Sequence, residues 1–184
     1  MPTVAQIEDP KYRISSLAVD NVIFVDLKAE HLQMFQGWHD EHPDKRGADP
    51  TTEGLHVLFI VRLNPPFEGC LCLPGGFVDY GEDPKDAAPR ELREETSLDK
   101  KDLPKMKLVG LYGDKDRDPR RHVISAAYGC QLRPNLARKA IAADDAKETW
   151  LVPLSSVITK TVVLGFDHLK IVLDAYDKVI LKKR

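Results

Sequence analysis

The sequence predicts one layered domain of the α/β or α+β class, in which helices cover a β-sheet. Two observations lead to this prediction. Short segments rich in Val, Ile, Leu and Phe alternate with polar or proline-containing stretches, and two other segments show helical spacing. The 184 residues, 42% of them hydrophobic, suffice for the core of one domain and leave little for a second. We therefore expect residues 1–184 to form a single domain.

Three extended segments are expected in the first half of the chain. Ser16 to Leu27 and Leu55 to Leu63 are largely apolar and are bounded by polar or proline-containing residues, as buried strands are. The polar stretch between them, residues 28–54, has the turn-like composition of an insertion that runs over the surface. A brief extended segment, Cys70 to Leu73, leads into the glycine-containing loop at residues 74–76.

The first long helix is predicted from its start signals. Asp83 is a good N-cap and Pro84 is a favoured first helical residue, so the helix should run to about Glu95 or Thr96. Pro89 lies inside this helix, where it removes one backbone hydrogen bond. We expect it either to kink the first turn or to delay the start of the regular helix.

The second half of the chain is expected to add three strands and one helix. The strands are predicted at Met106 to Tyr112, at His122 to Leu132 and, more briefly, near Thr149 to Val152. From Asp167 onward, apolar residues recur at helical spacing, and the basic residues at the end of the chain suit a helix C-terminus. Strands interleaved with two helices favour the α/β or α+β class.

Composition argues against several functional classes. The formal net charge of -2 and a pI of about 6.3 give no overall positive field for binding a nucleic-acid backbone. The three cysteines lack the spacing of a metal site, so we expect reduced thiols rather than disulfides. No apolar run approaches the roughly 20 residues that span a bilayer, and the N-terminus has no signal-peptide pattern, which makes the cytoplasm the expected location.

Charged residues on the first long helix carry the chemical signal. Glu91, Glu94 and Glu95 are spaced i, i+3 and i+4, so their side chains share one face, with Cβ atoms roughly 5–6 Å apart. Such carboxylates repel one another unless a cation lies between them, and oxygen ligands favour Mg²⁺, with Mn²⁺ as the alternative. Arg90 can orient a carboxylate by reaching Asp86 or Glu94. Taken alone, however, a Glu-rich helix is more often a solvated acidic face.

The residues that flank this helix favour the metal site. Their spacing resembles the Nudix box, which reads Gly, five residues, Glu, seven residues, Arg-Glu, an aliphatic residue, any residue, Glu-Glu, any residue, Gly, an aliphatic residue. The matching positions are Gly76, Glu82, Arg90, Glu91, Leu92, Glu94, Glu95 and Leu98. At ~6% for each fixed letter, a chance match of the six fixed residues in this chain is on the order of 10⁻⁵. Ser97 departs from the pattern, because the family has glycine at this helix-ending, usually left-handed position.

The resemblance implies a Nudix-type α/β/α sandwich around a mixed β-sheet, with divalent cations held by the box. The implied metal ligands are the carboxylates of Glu91, Glu94 and Glu95, the carbonyl oxygen of Gly75 and, as an additional or outer ligand, Glu82. Arg90 would orient these groups. For the general base, the family offers either the box helix or a later loop, which here gives Glu95 or Glu148.

Segments outside the box resemble the branch of the family that includes the ADP-ribose pyrophosphatases, among them GLYGDKDRDPRRHVISAAY and GFDHLKIVLDAY. That resemblance implies hydrolysis of ADP-ribose to AMP and ribose 5-phosphate. Arg117 and Arg120, on the turn-rich loop, are the expected substrate contacts, since guanidinium groups suit phosphates.

Two alternatives stay open at this stage. The chain could hydrolyse another nucleotide, such as a nucleotide sugar, a dinucleotide or an oxidised nucleoside triphosphate, or it could be a non-catalytic ligand-sensing domain. We expect a small-molecule nucleotide partner and no nucleic acid or membrane. A homodimer is also possible, because relatives in this branch often dimerise.

Overall fold

The computed structural model describes residues 14–35, 51–141 and 148–183. In chain order the strands are β1 (Ser16–Leu27), β2 (Gly54–Val61), β3 (Leu71–Cys72), β4 (Gly75–Phe77), β5 (Lys107–Tyr112), β6 (Val123–Leu132) and β7 (Thr149–Pro153). The helices are α1 (Ala29–Leu32), α2 (Pro84–Thr96), α3 (Pro134–Ile141), α4 (Leu154–Ile158) and α5 (His168–Ala175). A 3-10 turn covers Lys100–Asp102, and α5 continues through a π-helical turn (Tyr176–Ile180) into a 3-10 turn (Leu181–Lys183).

A mixed β-sheet organises these elements around β1. The described residues form seven strands in the order β3-β2-β1-β6-β5, with β4 paired to β1 and β7 paired to β2. The β1–β6 pair is parallel, and the other pairs are antiparallel. β1 is fully buried over much of its length because apolar side chains leave it on both faces, as expected for a central strand covered on both sides.

Helices cover both faces of this sheet. On one face, Val22 and Phe24 of β1 belong to a core that includes Ile171 and Val172 of α5. On the other face, the alternate β1 residues Ile23, Val25 and Leu27 pack in a second core with α2 and α3, through Leu92, Leu136, Ala137 and Ala140. The alternation follows from the two-residue period of a strand. The predicted α/β/α sandwich around a mixed sheet is therefore confirmed.

The predicted strands and both predicted helices are present. β1 and α2 have the predicted bounds, and the other boundaries differ by one or two residues. Gly75 and Gly76, predicted as loop residues, lie instead in β4, because they pair with β1. α3 and α4 were not predicted. α3 is amphipathic, with Leu136, Ala137 and Ala140 buried, and Pro134 is its first residue, so a start signal was present in the sequence. α4 has only five residues and contains β-branched Val157 and Ile158, so burial of Leu154 and Val157 holds it rather than helix propensity.

The segment at residues 28–54, predicted to run over the surface, begins instead with a short helix and a buried residue. Residues 29–32 form α1, and Phe35 is only 1% exposed, packed into the core beside α2 and α3. Leu32 and Met34 also pack against this core, and the polar composition of the stretch concealed these apolar contacts. Residues 36–50 lie outside the described residues.

Helix α2 begins as predicted and runs without interruption. The Asp83 side chain accepts a hydrogen bond from Lys85 N at 3.0 Å, and Pro84 is the first helical residue. Pro89 lies within the helix and does not delay its start, so that expected alternative is wrong. The first turn is held instead by the cap and by the burial of Ala87 and Ala88 against the sheet.

Two further predictions concern cysteines and membranes. Cys70, Cys72 and Cys130 form no disulfide, and the last two are buried, as expected for reduced core residues. None of the described helices combines the length and the apolar character that crossing a bilayer requires.

Ser97 ends α2 in the left-handed conformation, with φ 56° and ψ 16°, and its N–H donates to Arg93 O at 2.8 Å. Because Ser97 is exposed and a Cβ is unfavourable in this conformation, we expect Ser97→Gly to stabilise the protein by about 0.5–1 kcal/mol. Urea unfolding at equilibrium measures the change. Ser155→Gly is the matched control, since Ser155 is exposed but helical, and it should destabilise. If both variants destabilise, the left-handed cap carries no strain.

Candidate active site

Two glycines let β4 approach the neighbouring elements closely. In the β1–β4 pairing, Gly75 lies opposite Asp20 and Gly76 opposite Val19. A Cβ atom on Gly75 would lie 2.1 Å from the Val19 carbonyl oxygen, and one on Gly76 would lie 2.4 Å from Glu91 Oε2. Any side chain at Gly76 would therefore displace the Glu91 carboxylate. The glycine at the start of the box is needed to seat the first glutamate of the helix.

Arg90 connects the loop before α2 to the helix carboxylates. Its Nε and Nη2 donate to the two oxygens of Glu82 at 2.8 and 2.7 Å, a bidentate pair, and Nη2 also donates to Phe77 O at 3.1 Å. Nη1 donates to Glu91 Oε1 at 2.8 Å and to Glu94 Oε2 at 3.4 Å. Hydrogen bonds from Arg90 and from Asp79 N hold the pKa of Glu82 at about 2. Of the two carboxylates that Arg90 was expected to reach, Asp86 pairs instead with Lys100.

The three helix glutamates lie at different depths. Glu95 is only 7% exposed, and its Oε2 accepts a hydrogen bond from Gly75 N at 2.8 Å. Glu91 is partly buried. Burial raises its pKa, Arg90 opposes this rise, and Glu94 and Glu95 add to it. The Glu94 side chain is 48% exposed. Glu91 is therefore a carboxylate whose ionised form benefits from additional positive charge nearby.

Glu91 and Glu95 open into a cavity of about 440 Å³ beside β1 and β4. Gly75 and Gly76 form part of its wall. The other lining residues include Asp20, Arg117, Arg120, Phe166 and His168. Glu82 and Glu94 are not among its lining residues. The cavity thus joins the box to side chains from the loop between β5 and β6 and from the start of α5.

The donor set fits a hard divalent cation in its chemistry, since it consists of carboxylate oxygens beside the backbone of Gly75 and Gly76. Within the part of the chain that the structure describes, no three His, Cys, Asp or Glu side chains converge as a ready-made metal site. The reason is visible in their contacts: Glu91 and Glu94 turn toward Arg90, and Glu95 turns toward Gly75 N. Because Gly76 has no side chain, the Glu91 carboxylate can lie at the cavity wall, where its oxygens are potential metal ligands.

Arg117, an expected substrate contact, is engaged inside the protein. Its side chain is 4% exposed and pairs with Asp167 at 2.7 Å and with Asp20 at 3.2 Å. Asp20 also accepts from Ser125 Oγ at 2.5 Å and lies 3.4 Å from His168 Nε2. Burial opposes ionisation of Asp20, but His168, Arg117 and Ser125 together hold its pKa below the usual value. The guanidinium of Arg117 is thus satisfied by two carboxylates before any ligand enters.

The other expected substrate contact, Arg120, has more freedom. Its side chain is 42% exposed, forms a bidentate pair with Asp118 and lies over the Phe77 ring, 5.7 Å from the centroid. Asp118 is almost fully buried, so this pair holds Arg120 at the cavity wall.

Glu148 lies apart from the cavity wall. Its Oε1 accepts from Trp150 Nε1 at 3.0 Å, and its carbonyl accepts from Val61 N at 2.8 Å. Of the two expected candidates for a general base, Glu95 is the one that lines the cavity.

Sequence reasoning missed the cluster formed by Asp20, Asp167 and His168. One signal was available, because Asp20 lies between apolar residues and Asn21 in a largely apolar strand segment, and a buried charge needs a partner. The sequence did not identify that partner, since Arg117 is 97 residues away along the chain.

Comparison with known proteins supplies independent findings. A family model described as the NUDIX domain matches residues 29–169. The chain is 44% identical over 119 residues to an ADP-ribose pyrophosphatase from Methanocaldococcus jannaschii, covering 64% of this chain and 64% of that protein. It is 30% identical over 132 residues to an ADPR responsive transcriptional repressor, NtrR, from Acinetobacter baylyi, covering 71% of this chain and 50% of that protein. The matches therefore span less than two thirds of either relative.

A solved structure agrees over almost the whole length. A mutT/nudix family protein from Listeria innocua superimposes with a TM-score of 0.68 at 29% identity, covering 93% of this chain and 98% of that one. The two chains therefore share the same overall fold.

Proposed function

The chain belongs to the Nudix family, and from this premise we propose that it hydrolyses the diphosphate of ADP-ribose, releasing AMP and ribose 5-phosphate. The observation that carries the proposal is the meeting of Glu91, Glu95, Gly75 and Gly76 at the wall of one cavity. Beside it, Arg90 donates hydrogen bonds to Glu91 and Glu94. The 44% identity to the archaeal ADP-ribose pyrophosphatase supports this choice of substrate.

Nudix hydrolases generally need divalent metal ions, and we propose Mg²⁺ or Mn²⁺ for this chain. Glu91, Glu94, Glu95 and the Gly75 carbonyl would hold the ion. Glu82 would contribute through Arg90, because both of its oxygens are engaged by that guanidinium. A divalent cation at this site would neutralise the diphosphate and stabilise the charge that develops on its phosphoryl oxygens.

The protein's own groups account for the remaining requirements. Water attacks one phosphorus, the bond from that phosphorus to the bridging oxygen breaks, and the bridging oxygen leaves with the other phosphate. Glu95 is the better placed of the two candidates for accepting the proton of water, because it lines the cavity and Glu148 does not. Arg120 also lines the cavity and can contact a phosphate if one of its hydrogen bonds to Asp118 is exchanged for one to the ligand.

The direct test is incubation of the purified protein with ADP-ribose and Mg²⁺ or Mn²⁺, with AMP and ribose 5-phosphate measured by anion-exchange chromatography. We expect both products in equal amounts and none after addition of EDTA. A nucleotide sugar, a dinucleoside polyphosphate and an oxidised nucleoside triphosphate serve as comparison substrates. If kcat/KM for any of these is at least tenfold higher than for ADP-ribose, that compound replaces ADP-ribose as the proposed substrate. Absence of product from all four would remove the hydrolase proposal.

One observation favours a second candidate, which is ADP-ribose sensing without turnover. The relative from Acinetobacter baylyi is an ADPR responsive repressor, and its 30% identity extends over 71% of this chain. Titration calorimetry with ADP-ribose, followed by chromatography of the same sample, separates the two candidates. Binding with intact ADP-ribose recovered after incubation with metal would favour the sensor, whereas recovery of AMP would favour the enzyme.

A further inference from the structure

Two phenylalanines near the cavity adopt backbone conformations that bulky residues rarely use. Phe67, in the loop between β2 and β3, has φ 65°, and Phe166, just before α5, has φ 54°. Their ring centroids are 4.7 Å apart, and Arg62 lies over the Phe166 ring at 5.1 Å. We call Phe67, Phe166 and Arg62 the aromatic wall. Burial alone does not explain it, since Phe67 remains 38% exposed.

The surrounding backbone fixes the aromatic wall in position. Leu71 N donates to Val163 O and Gly165 N donates to Leu71 O, which ties the loop before α5 to β3. A Cβ atom on Gly165 would lie 2.7 Å from Cys72 Sγ and 3.2 Å from Phe67 Cβ, so the close approach requires glycine. Arg62 Nε donates to Pro66 O at 2.5 Å, which positions its guanidinium plane. The two rings are therefore held before a ligand arrives, which lowers the entropic cost of binding.

The aromatic wall separates two cavities. Phe166 and Arg62 line the cavity that contains Glu91 and Glu95, while Phe67 and Phe166 line an adjoining one of about 560 Å³. Asp114 and Asp116 line the adjoining cavity, and Lys115 between them pairs with Asp116 at 3.8 Å. Arg117 and Asp167 also line this cavity and pair with each other, so each of its two cations already faces a carboxylate. The carboxylates can accept hydrogen bonds from an uncharged ligand with N–H groups.

From this arrangement we infer that the aromatic wall stacks against the nucleobase of the substrate, with the diphosphate directed toward Glu91 and Glu95. The inference rests on the proposed function for the identity of the nucleotide. A purine ring offers a flat π-face to Phe67 and Phe166 and an exocyclic amino group to the nearby carboxylates. The sugar phosphate at the other end of the substrate has no aromatic face, so it gains nothing from these residues.

AMP and ribose 5-phosphate test the inference separately, because neither is hydrolysed and only AMP carries a base. We expect Phe67→Leu and Phe166→Leu each to raise the Kd for AMP about tenfold, measured by titration calorimetry, with the Kd for ribose 5-phosphate changed less than twofold. Phe166→Tyr should bind AMP within threefold of the unaltered protein. Tyr80→Leu, which removes a fully exposed aromatic ring outside both cavities, is the control and should change neither constant.

Several results would overturn the inference: unchanged AMP binding in both leucine variants, equal weakening of AMP and ribose 5-phosphate, or no AMP binding by the unaltered protein. If a leucine variant fails to fold, nuclear Overhauser contacts between adenine H2 or H8 and the phenylalanine rings of the unaltered protein decide, and their absence counts against it. Turnover distinguishes this inference from the proposed function. If ADP-ribose is hydrolysed and the variants bind AMP normally, only the role of the aromatic wall is contradicted. If AMP binding depends on the aromatic wall but ADP-ribose is not hydrolysed, only the proposed enzymatic function is contradicted.

Discussion

Glu95→Gln is expected to lower kcat/KM for ADP-ribose hydrolysis by about 100- to 1000-fold while leaving the fold intact. Glu95 is 7% exposed and lines the cavity, and a glutamine oxygen can still accept the hydrogen bond from Gly75 N. The substitution therefore removes one negative charge with little change in shape. That charge is needed both to hold a divalent cation and to accept a proton, so its loss acts on the chemical step.

Steady-state kinetics with Mn²⁺ and a parallel Mn²⁺ titration measure the effect, and thermal unfolding checks the fold. Asp86→Asn is the matched control, because Asp86 lies on the same helix but is exposed and pairs with Lys100. It should retain activity within twofold. Full activity of a folded Glu95→Gln variant would contradict both roles proposed for Glu95, and weaker Mn²⁺ binding with unchanged kcat at saturating metal would leave only the ligand role.

The part of the site on α2 was predictable because its information is local. The N-cap, the helix period and the spacing from Gly76 to Glu95 all lie within 20 consecutive residues, and helix geometry converts that spacing directly into a shared face. The box glycine illustrates the same point. Its position was given by the pattern, but only the structure gives the reason, which is the 2.4 Å that a Cβ on Gly76 would leave to Glu91.

The remainder of the cavity depends on contacts between distant segments, which a single sequence does not specify. Arg117 was expected to contact the substrate because a loop arginine suits a phosphate, yet in the structure it pairs with Asp20 from β1 and Asp167 from the start of α5. The aromatic wall likewise brings together Phe67 and Phe166, which are 99 residues apart in the sequence. Short amphipathic or β-branched helices such as α3 and α4 were missed because tertiary burial, rather than local propensity, stabilises them.

Arg117→Met should reduce the free energy of unfolding by about 3–5 kcal/mol, because it leaves the carboxylates of Asp20 and Asp167 without their shared cation in the interior. Methionine fills much of the arginine volume, so lost packing contributes little. Urea unfolding at equilibrium gives the change. Lys100→Met is the matched control, because it removes a cation from the exposed pair with Asp86 and should cost less than about 1 kcal/mol.

Adding Asp20→Asn to Arg117→Met should recover part of the lost stability, because the second substitution removes a buried carboxylate that has lost its arginine and retains His168 and Ser125 as partners. A substrate role for Arg117 predicts the opposite pattern. Arg117→Met would then unfold within about 1 kcal/mol of the unaltered protein, and its KM for ADP-ribose would rise at least tenfold. Since the guanidinium already pairs with two carboxylates and only 4% of the side chain is exposed, we expect stability to change far more than KM. Any loss of kcat should follow from displacement of the cavity wall to which Asp20 and Arg117 contribute.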